Sequence, residues 1–264
     1  MLSAHINGRD IFYQDTGGAG PVVIFSHGLL MDHEMFAPQV EALGGAWRCI
    51  AWDERGHGRT ATDTLAPFSY YDSADDLAGL LKHLGVERAV LAGMSQGGFL
   101  SLRCALTHPQ IVRALILIDT QAGLEDPATL EGNMQLVGQW LSGGLSTEIA
   151  DVVEHIILGD NWAGAAAWRA KWAQIKPANL SQCMQTLTGR DDITSKLPAI
   201  QVPALVIHGD ADMAIPMERA QILADRLPDA ELVAIPGAGH AANLTHPEPV
   251  NAAIRAFLER LTAW

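Results

Sequence analysis

Gly93-Met94-Ser95-Gln96-Gly97 is the segment whose residue types and spacing most directly allow covalent chemistry. It follows the apolar run from Ala89 to Ala92 and precedes a helical pattern from Gln96 to about Thr107. In a G-x-S-x-G turn between a strand and a helix, the serine lies on a strained corner, and the small residues leave room for neighbouring backbone. Ser95 is therefore the predicted nucleophile, and a simple glycine-rich turn is the alternative.

This turn is one of five short motifs that occur in a fixed order along nearly the whole chain. The others are Ser26-His27-Gly28-Leu29, Asp53-Glu54-Arg55-Gly56-His57-Gly58, Ile207-His208-Gly209-Asp210-Ala211-Asp212 and Gly237-Ala238-Gly239-His240. Together the motifs resemble those of the α/β-hydrolase superfamily. The resemblance implies an α/β fold, with a mostly parallel central sheet, helices on both faces and a helical cap insertion, and catalytic residues in the order Ser, Asp, His.

The resemblance places the remaining catalytic groups at His240 and at one of two carboxylates. His240 would take the proton from Ser95 and later return it to the leaving group, which an imidazole can do near neutral pH. Asp212 fits the usual acid position after the penultimate strand. Asp119, at the end of the run from Ala114 to Ile118, fits the position that some family members use. Asp212 is the predicted acid and Asp119 is the alternative.

The family's oxyanion hole maps onto the backbone N–H groups of Leu29 and Gln96. The first of these lies in His27-Gly28-Leu29-Leu30 rather than in a lipase-type H-G-G-G loop. By resemblance, such a hole suits esters of primary and secondary alcohols. The charged segment from Asp53 to Gly58 is predicted to be structural, since Asp53 and Arg55 can tie a loop through charge-assisted hydrogen bonds.

Bulk properties exclude several other functions. The chain has 264 residues, enough for one large α/β domain with an insertion, and a formal charge of −13 that would repel nucleic acid or an anionic membrane. The three cysteines suggest neither a disulfide framework nor a zinc site, and no metal-binding spacing occurs, so no metal or cofactor is expected. The sequence also shows no secretory signal and no apolar run of roughly 20 residues. These features predict a cytoplasmic protein, whose oligomeric state is left open.

Apolar runs and turn signals predict the main elements. Asn7-Gly8 predicts a hairpin between strands at Leu2 to Ile6 and Ile11 to Asp15. Short apolar runs separated by helical patterns then predict a mainly parallel sheet. The predicted strands are Val22 to Phe25, Arg48 to Trp52, Ala89 to Ala92, Ala114 to Ile118, Ala204 to Ile207 and Leu232 to Ile235, and further helices are predicted at Tyr70 to Leu84, Arg219 to Leu227 and Pro249 to Leu261.

The strand and helix alternation stops between Gln121 and about Leu197, where the family inserts a cap. We therefore predict a hydrolase core of residues 1–120 and 198–264, and a cap of residues 121–197. Trp140 and Met134 in this segment are predicted to contact the substrate. Trp168, Trp172 and Ile175 are spaced to share one helix face, which forms either the cap's own core or part of the roof of a pocket.

The predicted function is a serine esterase or lactonase that acts through an acyl-enzyme on a small to medium, partly apolar ester or lactone. Relatives that dehalogenate or open epoxides carry aspartate at the position of Ser95, which argues against both reactions. Two alternatives remain. One is hydrolysis of a carbon–carbon bond in a diketone, and the other is a ligand-binding member of the fold without catalysis.

Overall fold

The computed structural model describes residues 2–262. Its strands are β1 (Leu2–Ile6), β2 (Arg9–Asp15), β3 (Val22–Ser26), β4 (Arg48–Trp52), β5 (Ala89–Met94), β6 (Val112–Ile118), β7 (Ala204–Gly209) and β8 (Ala230–Ile235). Within the described range they form one eight-stranded sheet in the order β1-β2-β4-β3-β5-β6-β7-β8. β2 pairs antiparallel with β1 and β4, and the other pairs are parallel. The predicted mainly parallel sheet is confirmed.

The first turn has the backbone conformation that its sequence predicts. Asn7 and Gly8 both have positive φ angles, 48° and 78°. A two-residue hairpin turn that matches the twist of its strands needs positive φ at both positions, which Asn-Gly adopts readily. The second strand begins at Arg9, two residues before the predicted start, so that β1 pairs with β2 along its whole length.

The helices are α1 (Ala37–Leu43), α2 (Tyr70–His83), α3 (Gln96–Thr107), α4 (Pro127–Gly143), α5 (Thr147–Leu158), α6 (Ala165–Trp172), α7 (Pro177–Thr188), α8 (Met217–Arg226), α9 (Ala242–Thr245) and α10 (Pro247–Thr262). The predicted helices correspond to α2, α3, α8 and α10. Within residues 2–262, no helix is long and apolar enough to cross a membrane. Because helices cover both faces of the sheet, β3, β5 and β7 are buried along their whole length.

The segment between β6 and β7 is helical, as predicted, and contains α4 to α7. Trp168 and Trp172 lie on α6 and are buried. The prediction that Ile175 shares their helix face is wrong, because α6 ends at Trp172. Pro177 begins the next helix three residues after Gln174, and a proline disfavours helical backbone in the residue before it. The boundaries that separate a core from a cap stay a prediction.

Glycines allow α3 to pack closely on the sheet at the start of the helix. A Cβ added to Gly97 would lie 1.9 Å from the backbone carbonyl oxygen of Ser26, and one added to Gly93 would lie 2.2 Å from the carbonyl oxygen of Gly97. Neither atom belongs to a flexible side chain that could move away. The G-x-S-x-G spacing is therefore a packing requirement between β3, β5 and α3.

We predict that Gly97→Ala lowers the free energy of unfolding by at least about 2 kcal/mol, because the methyl group must displace backbone. Gly138→Ala in α4 is the matched control, since a Cβ there meets nothing within 4 Å. The control should be neutral or stabilising by up to about 1 kcal/mol, as expected for glycine replaced inside a helix. Urea unfolding of both variants measures the difference, and equal midpoints would contradict the packing argument.

Candidate active site

Ser95 occupies a strained turn between β5 and α3. Its φ of 51° and ψ of −116° fall outside the regions that residues with a side chain normally adopt. Two hydrogen bonds hold this conformation. The backbone N–H of Ser95 donates to the carbonyl of Ile118 at 2.9 Å, and the hydroxyl of Thr120 donates to the carbonyl of Ser95 at 2.7 Å. The serine is thus presented on a rigid corner at the carboxyl edge of the sheet.

Three of the predicted residues form a chain of hydrogen bonds. Ser95 Oγ lies 3.1 Å from His240 Nε2, and His240 Nδ1 lies 2.9 Å from Asp212 Oδ2. The other oxygen of Asp212 accepts the backbone N–H groups of Ala214 and Ile215, at 2.8 and 3.0 Å. The carboxylate is therefore fixed, and it orients the imidazole with its second nitrogen towards the serine hydroxyl. This arrangement can move a proton from the hydroxyl to the imidazole.

Asp119, the alternative acid, has different partners. It is fully buried, and its two oxygens accept the backbone N–H groups of Gly209 at 2.8 Å and Ala242 at 3.0 Å. Gly209 is the last residue of β7, the strand that leads to Asp212. Ala242 lies two residues after His240. Asp119 therefore ties together the two loops that carry the other carboxylate and the histidine. Asp210, which follows Gly209, accepts a 2.7 Å hydrogen bond from the N–H of Gly237 and so holds the loop that precedes His240.

The charges of these groups depend on one another. Burial alone would lower the pKa of His240, but the charge and hydrogen bond of Asp212, aided by Asp119 and Glu125, raise it above its usual value. Burial raises the pKa of Asp212, but His240 and the N–H of Ile215 outweigh that effect and hold it below its usual value. Burial and the charge of Asp212 raise the pKa of Asp119 well above its usual value. The protonated imidazole is thus stabilised.

The two predicted oxyanion donors lie next to Ser95. Gln96 is the first residue of α3, where a backbone N–H has no acceptor inside the helix. Gly28 and Leu29 line the same cavity as Ser95, and a Cβ on Gly28 would lie 3.6 Å from the Cβ of Ser95. The loop therefore passes directly beside the serine.

The loop that contains Leu29 is held in place by residues of α6, a contact that sequence reasoning missed. Leu30, the next residue, has a φ of 65°, and its carbonyl accepts a 3.0 Å hydrogen bond from the indole N–H of Trp172. Lys171 also binds both carboxylate oxygens of Asp32, at 2.7 and 2.9 Å. The spacing of Trp168 and Trp172 predicts a buried helix face, but it cannot show that Trp172 contacts Leu30.

The segment from Asp53 to Gly58 has the structural contacts that its sequence predicts. Asp53 accepts the backbone N–H of His33 and the N–H of Arg59, both at 2.8 Å. Arg55 forms an ion pair with Asp76 of α2, with an Nη2 to Oδ1 distance of 2.8 Å. These bonds fix the loop after β4 beside the nucleophile turn.

Glu54 contacts the side chain of Gln96, and sequence reasoning missed this contact. Its Oε2 accepts a 2.7 Å hydrogen bond from the side-chain amide of Gln96, whose backbone is a predicted oxyanion donor. Burial raises the pKa of Glu54 to about 8, the charge of Asp76 adds to this effect, and Ser73 and Arg55 oppose it. Glu54 is therefore largely uncharged at neutral pH.

A cavity of about 120 Å³ adjoins Ser95 and His240. Its remaining lining is mostly apolar and comes from the loop after β3, the end of β5, α3, the segment before α4, α4, α5, α7 and the loop after β7. These residues are Gly28, Leu29, Leu30, Met31, Met94, Phe99, Glu125, Asn133, Leu136, Val137, Trp140, Val153, Ile156, Ile157, Met184, Leu187, Ala214 and Ile215. Trp140 lies on the wall, where a bound substrate would contact it. Met134, the other predicted contact, does not line the cavity and is 45% exposed. Its neighbours Asn133, Leu136 and Val137 occupy the wall instead.

Comparison with known proteins shows the family and the fold. The family model described as serine aminopeptidase, S33 matches residues 19–244. A thermophilic esterase from Thermogutta terrifontis is 28% identical with a TM-score of 0.87, over 98% of both chains. The enol-lactonase from Burkholderia xenovorans LB400 is 25% identical with a TM-score of 0.89, over 98% of this chain and 100% of that one. The 2-(acetamidomethylene)succinate hydrolase of Mesorhizobium japonicum is 27% identical over 256 residues, 92% of this chain and 89% of the relative. These matches confirm the predicted α/β-hydrolase fold, and the relatives are hydrolases.

The two carboxylates should respond differently to substitution. Asp212→Asn should lower kcat by about 10⁴, because the amide keeps the geometry but favours the wrong imidazole tautomer. Asp119→Asn should cost much less activity and instead lower the free energy of unfolding by about 1–3 kcal/mol, because one of two buried N–H groups loses its acceptor. Steady-state kinetics and thermal melts measure the two effects. If Asp119→Asn abolishes turnover in a folded protein while Asp212→Asn is nearly neutral, the assignment is reversed.

Activity should also depend on pH in two separable ways. The base must be neutral, so kcat/KM should rise through an acid limb above pH 6.5, the usual pKa of histidine that His240 exceeds. Glu54 gains a negative charge above its pKa of about 8, which opposes the oxyanion beside Gln96, so kcat/KM should fall there. Glu54→Gln can still accept the Gln96 hydrogen bond but cannot ionise. It should abolish the alkaline fall and leave the acid limb unchanged, and an unaltered alkaline limb would contradict this role.

Proposed function

Because the chain belongs to the serine aminopeptidase S33 family of α/β-hydrolases, we propose that it is a serine hydrolase of a small to medium, partly apolar carboxylic ester or lactone. The observation that carries the proposal is the hydrogen-bonded chain from Ser95 through His240 to Asp212, next to an apolar cavity. A carbonyl carbon held in that cavity would be within reach of the serine oxygen.

The proposed reaction has two half-reactions. Ser95 Oγ attacks the carbonyl carbon while its proton passes to His240 Nε2, and Asp212 stabilises the imidazolium that forms. The negative oxygen accepts hydrogen bonds from the backbone N–H groups of Leu29 and Gln96. Each of these bonds would stabilise the transition state by on the order of 3 kcal/mol. His240 then protonates the departing alcohol oxygen, which leaves an acyl-enzyme on Ser95. Water then attacks the acyl carbon while His240 takes its proton. His240 returns a proton to Ser95 Oγ as the carboxylic acid leaves.

Ester and lactone substrates both fit this scheme, since they pass through the same tetrahedral intermediate. The two solved relatives named above are an esterase and an enol-lactonase. The apolar wall that includes Trp140 favours an alkyl or aromatic substituent over a strongly polar one. We further propose that residues 121–197 act as the cap that sets substrate choice, because α4, α5 and α7 supply much of that wall.

Carbon–carbon hydrolysis of a carboxylate-bearing diketone is less well supported. Four cations that could otherwise bind such a carboxylate are each paired with acids: Arg103 with Asp191, Arg169 with Asp151 and Glu154, Lys171 with Asp32 and Glu34, and Arg190 with Glu125. Among residues 2–262, the cavity wall contains neither lysine nor arginine, but it does contain Glu125. A substrate carboxylate would find no cationic partner there, so we favour the ester or lactone.

An activated aryl ester tests the proposal, because an acyl-enzyme gives a burst of released phenol equal to the enzyme concentration. Ser95→Ala should abolish the burst and lower turnover by about 10⁴ or more. Ser101→Ala on the same helix is the control and should keep the burst. Treatment with an organophosphate should add mass to the peptide that contains Ser95. Modification of another serine with Ser95 unmodified would overturn the assignment of Ser95, and saturable binding without any turnover would favour the non-catalytic alternative.

A further inference from the structure

Two polar side chains line the cavity besides Ser95 and His240. They are Glu125, just before α4, and Asn133 on α4. An ionised carboxylate in an apolar wall is costly unless hydrogen bonds and charge compensate it. Glu125 is therefore not explained by the apolar character of the cavity, and its partners indicate what it can bind.

Arg190 compensates the charge of Glu125 without reaching the cavity. Its Nη1 lies 2.7 Å from Glu125 Oε2, and the arginine side chain is 2% exposed, compared with 11% for the glutamate. The guanidinium is also fixed by the carbonyls of Leu187 at 2.8 Å and Gly123 at 3.1 Å, and it lies over the ring of Phe99. The arginine does not line the cavity whereas the glutamate does. The pair thus presents its acceptor, and not its donor, to a ligand.

The acceptor capacity of Glu125 is only partly used. A carboxylate offers about four lone-pair sites. Arg190 takes one, and the side-chain amide of Gln121 takes another at 3.3 Å from Oε1. A methylene group placed against the remaining lone pairs would displace water from them without replacing its hydrogen bonds. A hydroxyl or an amide N–H would replace one of those hydrogen bonds. A second carboxylate would be repelled.

We propose that Glu125 forms a subsite for a neutral hydrogen-bond donor, a hydroxyl or an amide N–H, on the part of the substrate that lies in the apolar cavity. The same subsite excludes substrates with a carboxylate at that position. Arg190 is the positioning residue that pairs with Glu125 and holds it in this orientation. This inference rests on the proposed hydrolase function and narrows its substrate class to donor-bearing, uncharged esters or lactones.

A matched set of methyl esters, each corrected for its rate without enzyme, tests the subsite. The set consists of the unsubstituted hexanoate, hexanoates with a hydroxyl at each successive chain carbon, and chains that end in a carboxylate. For the wild-type protein, one hydroxyl position should raise kcat/KM about tenfold over hexanoate, the factor for one added hydrogen bond. Every carboxylate-bearing ester should be poorer than hexanoate. A flat profile across the hydroxyl positions would overturn the proposal.

Two variants separate charge from hydrogen bonding. Glu125→Gln removes the charge and should bring the carboxylate-bearing esters at least about tenfold closer to hexanoate. The double variant Glu125→Met with Arg190→Met leaves no unpaired ion, and replacing a whole buried pair by apolar residues is often tolerated. It should lose the hydroxyl preference, and retention of that preference would refute the role of Glu125. Glu131→Gln, an exposed residue of α4 with the same charge change, should behave as wild type.

Failure of the subsite and failure of the proposed function give different results. If no ester in the set is cleaved and Ser95 forms no adduct, the hydrolase proposal fails. The subsite is then tested separately by calorimetric binding of methyl hexanoate and its hydroxy derivatives to the Ser95→Ala protein. Tighter binding of one hydroxy derivative, lost in the double variant, supports the subsite without turnover. Equal binding of all the compounds refutes it.

Discussion

The strained backbone at Ser95 is the constraint on which the rest of the site depends. Its left-handed φ of 51° costs about 1–3 kcal/mol, and such a conformation persists only where the surroundings fix it. Gly93 and Gly97 allow α3 to approach β3 and β5 closely enough to do so. The bonds to Ile118 and Thr120 then tie the turn to the neighbouring strand. The same turn begins α3, whose first N–H groups have no acceptor inside the helix and include that of Gln96, the proposed oxyanion donor.

Asp119 extends this rigidity to the two loops that complete the site. Parallel strands end at the same edge of the sheet, so β5, β6 and β7 deliver Ser95, Asp119 and Asp212 to one region. Asp119 binds one N–H at the end of β7 and one N–H just after His240. It has a positive φ of 46°, a second strained residue directed at the same region. Asp119 therefore holds together the loop that leads to Asp212 and the loop that carries His240.

The predictions that succeeded depend on residues close together in sequence. The Asn7-Gly8 turn, the apolar strands and the turn from Gly93 to Gly97 are local patterns whose geometry follows from neighbouring residue types. The side-chain partners that were missed join distant segments, such as Trp172 and Leu30, which are 142 residues apart. Met134 failed for a related reason, because composition placed an apolar residue in the helical segment but could not show which side of α4 faces the cavity.

The charges around the site are distributed unevenly, in a way that matches the proposed reaction. The charge of Asp212, aided by Asp119 and Glu125, favours a protonated His240, and the pKa of Asp212 itself is held below its usual value. At Gln96, the residue after the serine, burial raises the pKa of its side-chain partner Glu54 to about 8, which leaves this carboxyl group largely uncharged at neutral pH. Acyl transfer separates charge into an imidazolium and an oxyanion, and a fixed environment stabilises that separation only if it differs at the two ends. Asp212 therefore stays ionised beside the base in spite of its burial, because His240 and a backbone N–H compensate it, whereas Glu54, the side-chain partner of Gln96, is largely protonated at neutral pH.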